Sequence, residues 1–258
     1  MFATSADPTP RLGTHLWLEG TGGALTRRDR RRLVLPLAKD LVITVAGRVA
    51  ALLRRGDGGR RTDVAAAPVP DSRLARAAED LASRRLSPVL LNHSYRTYAF
   101  GTALGRLHGL DVDRDLLFAA AMLHDLGLAA PTPHVDFTMA GVRAGRDVAA
   151  RAGLSSSATD TMVTAITLHH SPGITVAHGP VAHLLSAGAA LDVVGLRSWS
   201  LPPDVLAAVT SAHPRLGFKR EFTDVFRTEA AHVPAGRAAF LRRYGAFDLA
   251  VRLAPFGD

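Results

Sequence analysis

From Pro68 onward, apolar residues recur every three or four positions, and no stretch alternates with a period of two. That pattern belongs to amphipathic helices packed on one another, so the fold class it predicts is all-α. Caps and stops divide the region. Asp71 is placed to cap a helix over 72–86, with Leu74, Ala77 and Leu81 on one face. Ser87-Pro88 opens the next with a cap and a first-turn proline, and Gly109 closes it. Asp113 begins a helix expected to reach Leu126, just before Gly127. Another covers 136–152, stopped by Gly153. Ser157 and Asp160 resemble a capping box for a helix reaching His170, ended by Pro172-Gly173. Gly179-Pro180 opens a helix through Val194, and Pro202-Pro203 a short one before His213. Two more are expected over 219–231 and 235–250.

The first third reads differently. Residues 1–25 are proline- and glycine-containing and loop-like. Residues 26–53 are helical in pattern: Thr26 can cap, and Leu33, Leu37, Leu41 and Val45 follow a spacing of four. Pro36 is expected to shorten this helix. Residues 54–64 are rich in glycine and charge, as in a linker. The boundary is therefore placed near Ala66, giving a basic N-terminal extension (1–66) and a main domain (67–258). Lys39, Asp40 and Arg48 interrupt the apolar run Leu33–Leu53, which argues for packing on protein and against a membrane span.

Composition narrows the chemistry. There is no cysteine among the 258 residues, so disulfides, thiolate metal sites and cysteine nucleophiles are excluded. Any metal must be held by nitrogen and oxygen. Residues 1–10 are polar and proline-containing and do not read as a signal peptide, so a cytoplasmic setting is expected. The net charge is +8, but residues 1–66 carry +6 of it, and only Lys39 and Lys219 are lysines. The Arg27–Arg32 run reads as a solvated face, and no nucleic-acid partner is expected.

Three polar positions stand out on three apolar helices. His93 lies in an apolar neighbourhood, His124-Asp125 ends the run Ala-Ala-Met-Leu, and Asp192 interrupts Leu184–Val194. A carboxylate buried alone is too costly, so it must be paired, hydrogen-bonded or metal-bound. A shared cation explains all three positions at once. His108 reads as a solvated helix-end histidine, and His15, His213 and His232 as surface residues.

These residues carry a resemblance. The order His, His-Asp, Asp on an all-helical chain is similar to the HD-domain metal hydrolase superfamily. Pro68–Ser72, Leu91–Arg96, Leu123–Gly127, Ala165–His169, Gly188–Gly195 and His213–Lys219 narrow it to the cyanamide hydratase-like branch, over roughly residues 67–230. The resemblance implies an HD-domain helical bundle in which His93, His124, Asp125 and Asp192 ligate a divalent ion. That ion is expected to be zinc, with iron, manganese or nickel as alternatives. It implies hydration of a small nitrile-like substrate, cyanamide to urea or a relative, by metal-bound hydroxide. Asp125 would hold the water as well as the metal, Asn92 orient substrate, and His169 donate a proton or support the site from behind as a structural partner. A two-ion variant of the superfamily would draw further histidines from His134, His169, His170, His178 and His183. Thr138, where the branch has glutamate, and His170 depart from its pattern and bear on the substrate.

The alternative is a phosphohydrolase, for which Arg96, Arg143 and Arg146 are the candidate phosphate cations. A non-catalytic binding module is a third class. A small-molecule substrate is expected, and a homo-oligomer is left open.

Overall fold

Helices follow one another along the chain with no sheet among the described residues; an isolated bridge between Thr132 and Val135 is the one β feature there. The computed structural model describes residues 11–53 and 67–258. The expected linker over 54–64, the boundary at Ala66 and residues 1–10 lie outside them.

Eight helices start where the pattern put them, within a residue or two. Ser72, not Asp71, caps α3 (Arg73–Arg85), its hydroxyl accepting from the Ala75 amide. Ser87 caps α4 (Pro88–Leu107). Asp113 caps α5 (Arg114–Leu123). Then follow α7 (Thr138–Ala152), α8 (Ser156–Leu168), α9 (Pro180–Val194), α10 (Pro203–Ala212) and α11 (Phe218–His232). Ser155 caps α8 in place of the expected Ser157 box. The helix expected over 235–250 is two, α12 (Arg237–Tyr244) and α13 (Phe247–Arg252), separated at Gly245 and Ala246, where Ala246 has φ +47°.

Helices α4 and α9 cross at the centre, close enough that glycine is obligatory at the contact. A Cβ on Gly188 would lie 2.1 Å from the Thr97 carbonyl oxygen, and one on Gly101 would lie 2.8 Å from that of Leu184. Around this pair, α5 and α8 complete the core with Leu117, Phe118, Met122, Met162 and Ile166, all fully buried.

The segment expected as an extension packs onto this bundle. Residues 1–25 are not all loop: α1 (His15–Thr21) buries Trp17 and Leu18 against α7 and α8. Helix α2 (Arg27–Leu53) starts where Thr26 caps the Asp29 amide. Pro36 does not shorten α2. The spacing of four also fails as a guide to its buried line: Leu33 and Leu37 are buried, but Leu41 and Val45 are exposed. Steps of four drift by about 40° per step on a helix of 3.6 residues per turn, so the inner face continues through Asp40 and Thr44 instead. No helix among the described residues is long and apolar enough to cross a membrane.

Candidate metal centre

The site is built at two helix ends. The expected helix through Leu126 breaks at His124-Asp125, and a short α6 (Leu126–Ala129) resumes at an angle. Just after the break, Gly127 meets Phe137 so closely that a Cβ would sit 2.2 Å from its carbonyl oxygen. Inside a regular helix adjacent side chains diverge by about 100°. At the break, His124 and Asp125 converge, with Nε2 of the first 3.3 Å from Oδ2 of the second.

His124 and His169 occupy the same position on α5 and α8, the first residue after the last full turn. Carbonyls at a helix C-terminus lack helical partners. Each histidine satisfies one: Nδ1–H of His124 donates to Ala121 O and that of His169 to Ile166 O, both at 2.7 Å. The local hydrogen bond thereby assigns the tautomer and leaves each Nε2 with a free lone pair. His93, on α4, is fixed by a carboxylate: its Nδ1–H donates to Asp192 Oδ2 at 2.7 Å. Its Nε2 lies 3.3 Å from His124 Nε2 and 3.4 Å from Asp125 Oδ2. His169 Nε2 lies 3.4 Å from the other oxygen, Asp125 Oδ1.

Asp125 could cap α6, as aspartate at such a position usually does, but it makes no capping bond. Both its oxygens are buried with no hydrogen-bond partner among the described residues. Burial alone would raise its carboxyl; the histidines around it, His124 foremost, hold it well below the usual carboxylate range. Burial lowers the His93 imidazole, but the two carboxylates beside it, Asp125 and Asp192, outweigh that and raise it. Burial lowers His169, and it lowers His170 much further with Arg237 adding to the effect. A buried anion without donors, faced by imidazole lone pairs, is electrostatically incomplete without a cation. His93, His124 and Asp125 are a three-group cluster compatible with a divalent metal.

Two expected participants lie elsewhere. Asp192 stands behind His93, not in the cluster. Arg96 grips its carboxylate with Nε on Oδ1 at 2.8 Å and Nη2 on Oδ2 at 2.9 Å, and Arg215 Nη1 reaches Oδ1 at 2.7 Å. Burial would raise its carboxyl, but Arg96 and His93 pull it below the ordinary range. With two arginines and an imidazole as donors, this carboxylate is already satisfied. Asn92, next to His93, is turned away by the helical rotation and donates to Pro214 O at 2.8 Å, outside the cavity lining.

The other polar candidates also separate. His169 and His170 border the site, whereas His134 and His178 are exposed and His183 bonds Ile174 O. His213 is half-buried, stacked on Tyr95 at 4.6 Å, not a free surface residue. Thr138 donates its hydroxyl to Asp136 Oδ1 at 2.6 Å, in a buried network with Arg237, and does not border the cavity. Arg96 is spent on Asp192, Arg146 pairs with Glu19, and Arg143 is exposed.

The cluster opens on a cavity of about 1020 Å³, counting space open to solvent. His93, Asp125, His169 and His170 line it together with Phe137, Phe222 and Phe226. Sequence reasoning missed the two α11 phenylalanines, although Phe218, Phe222 and Phe226 are spaced for one helix face. It also missed Arg215, which sits in the His213–Lys219 segment.

Residues 90–207 match the model of the HD domain, and the helical fold and the histidine–aspartate cluster agree with that match. The chain is also similar to cyanamide hydratases. It is 26% identical over 183 residues to the cyanamide hydratases DDI2 and DDI3 of Saccharomyces cerevisiae, covering 69% of this chain and 81% of each relative.

Proposed function

We propose that the protein hydrates a small nitrile-like carbon, as in cyanamide plus water giving urea, with a divalent ion held by His93, His124 and Asp125. The observation that carries this is the unsatisfied Asp125 carboxylate facing imidazole Nε2 atoms at the end of a largely apolar cavity. Two imidazole nitrogens and a carboxylate oxygen are a donor set that would suit zinc. The three separations among His93, His124 and Asp125 are 3.3, 3.4 and 3.3 Å.

Bound there, such an ion supplies Lewis acidity and a water acidic enough to ionise near neutral pH. The chain's own residues do the rest. Asp192 holds the His93 ring from behind, in the role of an outer-sphere carboxylate and not of a fourth ligand. His169, kept neutral by burial, presents Nε2 beside Asp125 Oδ1 and can take a proton from water and return it to the substrate nitrogen. Both hydrogens of the added water end on nitrogen in the urea product. The lining is largely aromatic and aliphatic and, among the described residues, offers no cluster of cations for phosphate.

Purified protein would be analysed for metal, then assayed for urea release from cyanamide and phosphate release from a nucleotide and phosphoester panel. Stoichiometric metal with urea release is the expected result. Phosphate release without urea would replace this reading with the phosphohydrolase; metal-free, inactive protein would leave a binding module.

A further inference from the structure

The cavity is far larger than cyanamide, whose whole skeleton is N–C–N. The 1020 Å³ includes open solvent, so its reach is read from its lining, which extends over α2, α9, α11 and α13, well beyond what an N–C–N skeleton can touch. Its walls come from three directions. One is aromatic: Phe222 and Phe226 of α11 continue to Phe247 of α13, whose ring stacks on Phe226 at 4.2 Å. The second is the aliphatic face of α9, with Ala189, Ala190, Val193 and Val194. The third is α2, which contributes Leu37, Asp40, Leu41 and Thr44.

Helix α2 is seated there by specific contacts along its length. Asp40 Oδ2 accepts from the Gly173 amide at 3.0 Å, in the turn that follows His169-His170. Gly173 has φ +78°, and Pro36 packs where its Cβ would be, at 2.6 Å. Further on, Gly47 lies flat against the Trp199 ring, and Arg48 Nη2 donates to Val194 O at 2.7 Å. A pocket wall fixed at Pro36, Asp40, Gly47 and Arg48 is a built feature and not an incidental neighbour.

We infer that α2 is the specificity wall of this site, and that the substrate carries an aryl or comparably large apolar body on the small reactive group. The inference rests on the hydration reading for the reactive end only. An organic nitrile would take the same step as cyanamide: a carbon–oxygen bond forms from water, the carbon–nitrogen π bonds are given up, and both water hydrogens move to nitrogen, yielding the amide. The apolar body would lie between the phenylalanines and α2, where its removal from water favours binding.

The full-length, metal-loaded protein provides the test, with phenylacetonitrile and cyanamide as substrates and phenylacetamide and urea as binding probes. Phenylacetonitrile is expected to be hydrated with kcat/KM at least about tenfold above cyanamide. Phenylacetamide, and not urea, is expected to slow amide hydrogen exchange in residues 36–46. Leu41→Trp, at a position exposed enough to accept the larger ring, is expected to lower the phenylacetonitrile-to-cyanamide ratio about tenfold, with its melting temperature checked in parallel. If cyanamide turns over but phenylacetamide neither binds nor protects α2, the inference is overturned and the hydration reading stands. If phenylacetamide protects α2 while neither nitrile reacts, the wall stands and the hydration reading fails. Absence of both binding and turnover overturns both.

Discussion

At the scale of single residues, the site depends on which nitrogen each histidine presents. Helix-end carbonyls fix two of these choices and a buried carboxylate fixes the third, so the Nε2 lone pairs are oriented before any ion arrives. His124→Ala is expected to abolish stoichiometric metal binding, read by elemental analysis of the purified variant; retained metal would refute the ligand assignment. Asp192→Asn distinguishes an outer-sphere role from ligation. In the outer role, the variant still loads at saturating metal but with affinity reduced about 10–100-fold. It also leaves Arg96 and Arg215 without their anion, and breaking such a buried pair costs about 3–5 kcal/mol, measurable by denaturant unfolding. Complete loss of metal from a folded variant would restore Asp192 to the ligand set. The doublet was legible in the sequence because two metal-ligand residue types stood side by side. The partners of Asp192 were not, because Arg96 and Arg215 reach it from 96 and 23 positions away.

Among the elements, the α4–α9 crossing positions His93 against Asp192. Gly188→Ala places a methyl group within 2.1 Å of the Thr97 carbonyl oxygen, and backbone on both sides leaves no flexible side chain to yield. Overpacking of this kind costs about 1–3 kcal/mol, so a lower unfolding midpoint is expected, together with weaker metal binding as His93 shifts. Helix starts were readable because serine, aspartate and proline act locally. Breaks were less so. The interruption at His124-Asp125 and the separation of α12 from α13 at Gly245 and Ala246 lie within runs whose apolar spacing reads as continuous helix.

For the molecule as a whole, a second buried polar network lies beneath the cavity. Asp136 is gripped by Arg237, and Glu229 accepts from the Phe137 amide at 3.0 Å while its other oxygen is buried without a hydrogen bond. Burial, then the Asp136 carboxylate, pushes the Glu229 carboxyl up to about 7. A carboxyl raised on folding binds more protons in the native than in the unfolded state, so stability falls as pH rises from about 4.5 to about 7. Unfolding free energies of wild type and Glu229→Gln at pH 5 and pH 8 are expected to differ in their pH dependence by at most about 3 kcal/mol. Gln keeps the Phe137 bond and removes the charge, so an unchanged pH dependence would exclude Glu229 as its source. Helix α2 belongs to this scale too: its pattern predicted a helix, and only its seat on Gly173, Trp199 and Val194 made it part of the cavity.

By itself the sequence determined the helical class, most helix starts, the exclusion of thiolate chemistry and the His93, His124 and Asp125 positions. Each of these follows from local spacing or residue type. Tertiary structure decided that Asp192 is held by arginines, that Asn92 faces Pro214, and that Phe222, Phe226 and α2 enclose the cavity. Those depend on which distant groups compete for a buried charge and which faces meet, and both are settled only when the chain closes on itself.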